Sequence, residues 1–199
     1  MARKYELKKR AQKQEETRRR IVDALVALHE EVGPANTTVK AVAERAGVQR
    51  LTVYRHFPDE HSMFQACTAQ YDADNPPPNP MPWMEIEDPI ERLRTALDDI
   101  YDYYARAERM ISNALRDAPE VPALADSMHE YYQGLEEYRK IIAAVWNVPA
   151  DQRARLDSVI SHAIWFETWR SMCRVQELTH EEAIELMVRF ATCIAASER

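Results

Sequence analysis

Gln49, Arg50, Thr52, Tyr54, Arg55 and His56 fall within one short stretch of the chain, interleaved with Val48, Val53 and Phe57. An amide or guanidinium presents paired donors that match base edges, while hydroxyls, phenols and imidazoles reach phosphate oxygens. If the stretch is helical, the three apolar residues take the inner side and the polar set points outward. A surface of donors, cations and one aromatic suits the major groove of double-stranded DNA.

Such a surface needs a scaffold of two short helices crossing steeply over a tight turn. Thr37 and Thr38 can cap a first helix whose inner face is Val39, Val42, Ala43 and Ala46. Ala43 is small enough for close approach, and Gly47 can take the left-handed conformation that reverses the chain. The second helix begins near Gln49 and ends at Phe57, before Pro58. Thr38 to Phe57 is therefore expected to be a helix-turn-helix.

Other chemistries find little support. With three glycines in the chain, neither a Gly-rich phosphate loop nor a nucleophile elbow can be built, so no enzyme and no cofactor is expected. The His-Glu pairs at 29, 129 and 180 lack a second His four residues on, and no other metal spacing occurs. Cys67, Cys173 and Cys193 form no C-x-x-C pair and read as reduced, small apolar residues. No apolar run is long enough to span a membrane and the start lacks a secretory pattern, so a cytoplasmic protein is expected.

The net charge of −7 hides a division: residues 1–56 hold 13 Lys/Arg against 7 Asp/Glu, and residues 57–199 hold 13 against 26. A basic head on an acidic body orients the chain toward a polyanion.

No period-two alternation is present, and an all-α fold of about nine helices is expected. Residues 1–16 are polar and basic, without an apolar stripe, and read as a flexible arm. Ile21, Ala24, Leu25, Leu28 and Val32 give a helix from Thr17, stopped by Gly33-Pro34. Asp59 caps a fourth helix carrying Met63, Phe64 and Cys67. Residues 72–87 hold five of the eleven prolines and read as an extended linker between a DNA-binding domain, 17–71, and a body, 88–199. The body is divided into helices over Ile90 to Tyr104, around Met110 to Leu115, from Ala123 to Trp146, from Ala150 to Val175 and from Thr179 to Ser197. Thr179 with Glu182 forms a capping box.

Residues 17–66, above all Thr52-Val53-Tyr54-Arg55-His56-Phe57, together with Ala46-Gly47-Val48, Ala43, Thr38, Asp23-Ala24 and Arg20-Ile21, strongly resemble the DNA-binding segment of the TetR family of bacterial transcriptional regulators. The resemblance implies that the third helix enters the major groove and that Thr38, Tyr54 and His56 contact phosphates. Gln49, Arg50, Thr52 and Arg55 complete the expected DNA-binding set, with Arg50 as base reader. Three residues depart from the family pattern: Gln49 stands at a Ser/Thr cap position, Leu51 where Gly, Pro or Ala is frequent, and Glu60 where Lys is usual. Glu60 weakens phosphate attraction, and Arg3, Lys4, Lys8, Lys9, Arg10 and Lys13 of the arm are the expected compensation.

The final helix carries Ala183, Ile184, Met187, Val188, Ala191, Ile194 and Ala195 on one stripe, and the preceding one carries two apolar sets. The resemblance implies a homodimer through these two helices, and a pocket for a small-molecule inducer in the body. Tyr104, Trp146, His162, Phe166 and Trp169 are the expected ligand contacts, suited to an apolar or aromatic molecule. The expectation is a ligand-responsive regulator, repression being the commoner mode in the family, that binds a palindromic operator. A constitutive DNA binder without an inducer is the alternative.

Overall fold

The computed structural model describes residues 2–196, apart from the side chains of residues 2–5 and 7. Nine α-helices and no strand occur among the described residues, so the chain is all-α as expected. They are α1 Ala2–Glu31, α2 Val39–Ala46, α3 Arg50–His56, α4 Glu60–Asp74, α5 Pro89–Asp117, α6 Ala125–Ala143, α7 Ala150–Ala163, α8 Phe166–Arg170 and α9 His180–Ala196. The chain divides into two compact units, one of Met1–Pro76 with Arg109–Met128, the other of Pro77–Glu108 with His129–Arg199.

In the first unit α1 buries Ile21, Val22, Ala24, Leu25 and Leu28 against Val42, Ala43 and Ala46 of α2, Val53 and Phe57, and Met63 and Cys67 of α4. Val32, expected on this face, is 42% exposed instead, because α1 has already ended at Glu31. The expected arm is a different matter: residues 2–16 continue α1 as helix. They contain no glycine, proline or β-branched residue and are rich in Ala, Lys, Arg, Glu and Gln, all strong helix formers. An apolar stripe is not needed when propensity is this uniform. The side chains of Arg3 and Lys4, and Ser197 at the expected end of the last helix, lie outside the described residues.

In the second unit the proline-rich stretch is more than an extended linker. Pro82–Glu85 forms a 3-10 turn, with proline at a first-turn position where its missing N–H costs nothing. Trp83 on that turn is fully buried, and its indole N–H donates to Asp99 Oδ2 at 2.7 Å. The buried Arg92 guanidinium donates to the carbonyls of Met84 and Ile86, and the Tyr138 hydroxyl donates to that of Pro78.

Two expected helices of the body are one. Ala105-Arg106-Ala107-Glu108-Arg109 carries no breaker, so the helix from Pro89 runs on to Asp117. The expected helix from Ala123 starts at Ala125, after a 3-10 turn, and stops at Ala143, leaving Trp146 in the following turn. The expected helix over 150–175 is broken instead: α7 ends at Ala163, Trp165 is extended, and α8 passes into a π-helical turn over Ser171–Val175. No proline or glycine marks the break. Tertiary contacts hold it, since the buried hydroxyls of Tyr101 and Tyr104 donate to the carbonyls of Ala163 (2.9 Å) and Ile164 (2.6 Å). Thr179 and Glu182 form the expected capping box at the start of α9, with the Glu182 amide 3.2 Å from Thr179 Oγ1 and the Thr179 amide 2.9 Å from Glu182 Oε2.

Candidate nucleic-acid interface

The helix-turn-helix is built by local chemistry. Thr38 is in the extended region, and its Oγ1 accepts from the Ala41 amide at 3.1 Å, capping α2. Gly47 ends α2 at φ 64° and ψ 40°. The Gly47 amide donates to the Glu44 carbonyl (3.2 Å) and the Val48 amide to the Ala43 carbonyl (2.9 Å), a Schellman pair that closes the turn. Asp59 accepts from the Ser62 amide at 2.7 Å and starts α4; its hydrogen bonds from Ser62 hold its carboxyl below the usual range.

Val53 and Phe57 are buried, which fixes the rotation of α3. Gln49, Arg50, Tyr54 and Arg55 are then exposed, Thr52 and His56 half-buried, and Thr38 exposed at the neighbouring helix start. All seven expected DNA-binding residues therefore lie on the surface of the first unit; Tyr54, the one aromatic among them, is 52% exposed rather than part of the core. Gln49 starts α3 without a side-chain cap, leaving its amide group uncommitted to the helix. Arg18 stacks its guanidinium over the Phe57 ring at 5.0 Å from the centroid. A cleft of about 540 Å³ opens beside these residues, its lining including Thr38, Arg50, Tyr54, Glu60, His29 and Phe64.

Leu51 is 76% exposed on the same helix, between Arg50 and Thr52. Its type departs from the family pattern, and its mismatch with the inward period of Val48, Val53 and Phe57 marks it as part of the outer surface.

His29 lies beneath this surface, stacked on Phe64 with ring centroids 5.0 Å apart and with Nδ1 3.3 Å from Cys67 Sγ. Burial lowers its pKa to about 4, against the opposing pull of Asp117, so the ring is neutral near pH 7. Cys67 is buried beside it and its thiol is pushed up to about 12, which makes it an inert apolar group.

The five expected ligand contacts do not form one set. Tyr104, Phe166 and Trp169 meet, with ring centroids 5.3 to 5.8 Å apart, and are almost completely buried. Trp146 is buried in the turn after α6, and His162 is exposed on the last turn of α7, its Nδ1 3.3 Å from Thr168 Oγ1. Neither takes part in those ring contacts. Tyr132 and Trp165, by contrast, are about half-exposed neighbours that the periodic reading did not single out as contacts.

A capped helix-turn-helix with a polar, outward-facing third helix is the architecture of a DNA-binding domain. Residues 21–67 match the family "Bacterial regulatory proteins, tetR family". A curated relative, the HTH-type transcriptional repressor KstR of Rhodococcus jostii, is 36% identical over 93 residues, 44% of this chain and 40% of its own length. Solved structures share the fold over nearly the whole chain. A TetR-family transcriptional regulator of Syntrophomonas wolfei aligns with a TM-score of 0.61 at 18% identity, over 93% of this chain and 97% of its own. A TetR transcription regulator of Haloarcula marismortui aligns with a TM-score of 0.54 at 18% identity, over 90% and 96%.

Proposed function

We propose that the protein is a transcriptional repressor that binds a palindromic operator as a homodimer, through Thr38, Gln49, Arg50, Thr52, Tyr54, Arg55 and His56. The observation that carries this reading is the rotation of α3: burying Val53 and Phe57 leaves the polar side chains outward in the segment that matches the family. Thr38, Tyr54 and His56 take phosphates, Arg50 a guanine edge, and Leu51 a thymine methyl group. Fluorescent duplex titrated across salt tests this. Affinity should fall steeply with salt, and His56→Ala should weaken binding about equally across duplex sequences. Binding that is indifferent to salt and to these side chains would reject it.

The dimer forms through α7 and α9. Leu186 and Phe190, one turn apart on α9 and each nearly half-exposed, supply apolar surface beyond the stripe that packs inward. KstR being a repressor supports repression as the mode.

Release of the operator by a small apolar or aromatic molecule rests on the Tyr104, Phe166 and Trp169 cluster beside the break between α7 and α8. A constitutive regulator is the second reading, favoured by the close packing of that cluster and by the Tyr104 hydroxyl already being paired to backbone. Operator affinity unchanged across a panel of aromatic and apolar molecules would select the second.

A further inference from the structure

Three polar side chains at the end of α5 hold the connection that leads into the helix-turn-helix. Asn113 Nδ2 donates to the carbonyls of His29 (2.8 Å) and Glu30 (2.9 Å), which lie in the last turn of α1 and have no intrahelical partner. Arg116 Nη2 donates to the Val32 carbonyl at 3.2 Å. Asp117 Oδ2 accepts from the Ala35 amide at 3.0 Å. The three are also tied to each other: Arg116 Nε is 2.6 Å from Asp117 Oδ1, and Arg116 Nη1 is 2.8 Å from Asn113 Oδ1.

Asp117 is 5% exposed, so a full negative charge is buried and compensated by one guanidinium and one backbone amide. Such a charge is costly to keep and exacting about geometry. Gly33 lies directly against it at φ 88°, and a Cβ there would collide with both the Arg116 guanidinium and the Asp117 carboxylate. Thr38, the cap of α2, comes only three positions after Ala35. Within the connection, Thr37 Oγ1 donates to the Gly33 carbonyl at 2.8 Å.

We propose that Asp117, braced by Arg116 and Asn113, is a positioning residue for DNA recognition: it fixes where α2 begins, and with it the placement of Thr38 and α3. This rests on the DNA-binding reading above. Asp117 touches no base or phosphate itself.

The test compares Asp117→Asn, Asn113→Ala and a core control, Met63→Ala, at a temperature where each is folded. Two quantities are read: affinity for an operator duplex selected by the wild-type protein, and amide hydrogen exchange over residues 33–38. Asp117→Asn should weaken operator binding about tenfold or more and speed exchange at Ala35 by a similar factor, because the buried charge no longer holds that amide. Asn113→Ala, which spares the ion pair, should show a smaller effect of the same kind, while Met63→Ala should keep operator affinity despite lowered thermal stability. Operator affinity in Asp117→Asn no lower than in Met63→Ala would overturn the proposal. If the wild-type protein selects no duplex, the DNA-binding reading falls with it; unchanged exchange at Ala35 would overturn the role of Asp117 by itself.

Discussion

Arg50 is exposed at the first position of α3, and in the proposed DNA-binding role that end of the helix meets base edges. Arg50→Ala should cost roughly 1–3 kcal/mol of operator affinity and relax selection at one base pair, read by comparing single-base operator variants. Uniform weakening across all variants would make it a phosphate contact. His29 gives a second prediction. Its pKa in the folded protein, about 4, lies below the usual histidine value, so the unfolded chain binds the proton more readily. The stabilisation is fully present above about pH 6.5 and is lost as pH falls toward 4, amounting to at most about 3 kcal/mol. Urea midpoints measured from pH 7 to pH 4 should fall, and His29→Gln should flatten that fall. Several single residues were legible in the sequence because their chemistry is local: Thr38, Gly47, Asp59 and the Thr179 with Glu182 pair do what their types and spacing say. Asn113 and Asp117 were not, because their partners lie more than 80 residues away and no local pattern marks a side chain that caps another helix.

At the scale of elements, periodicity located the helices and breakers located only some of their ends. The stretch over 105–109 lacks a strong apolar pattern, which suggested a gap; without a breaker the helix simply continues through it. Prolines at 76–82 excluded a helix interior but not a 3-10 turn, and Trp83 anchors that turn by burial. The division of α7 from α8 was illegible for a different reason, since the carbonyls freed there are paired by tyrosines of α5. Tyr104→Phe removes the donor to the buried Ile164 carbonyl and should destabilise the protein by about 1–3 kcal/mol in urea unfolding. A neutral outcome would mean that α7 and α8 hold their break without it. Gly33→Ala should also destabilise, through both its positive φ and the collision with Arg116 and Asp117.

For the whole molecule, the division into a basic head and an acidic body was visible in charge alone, and the helical fold followed from the absence of strand periodicity. On α9, Ala183, Ile184, Val188 and Ala191 of the apolar stripe are buried within the chain, whereas Leu186 and Phe190 are nearly half-exposed. One sequence pattern cannot tell an internal stripe from a partner-facing one when both are apolar. Replacing both with charge, as in Leu186→Glu with Phe190→Glu, should convert a dimer to a monomer by light scattering and lower operator affinity, while leaving helical content intact.

The central claim is that α3 reads duplex DNA as part of a twofold dimer. Selection of bound duplexes from a random pool tests it most directly. A palindrome should be enriched, its half-sites spaced about one DNA turn or a multiple apart, and the enrichment should be lost in Arg50→Ala at the bases that Arg50 reads. A pool that emerges unenriched, or enriched in a sequence without twofold symmetry, would contradict the account.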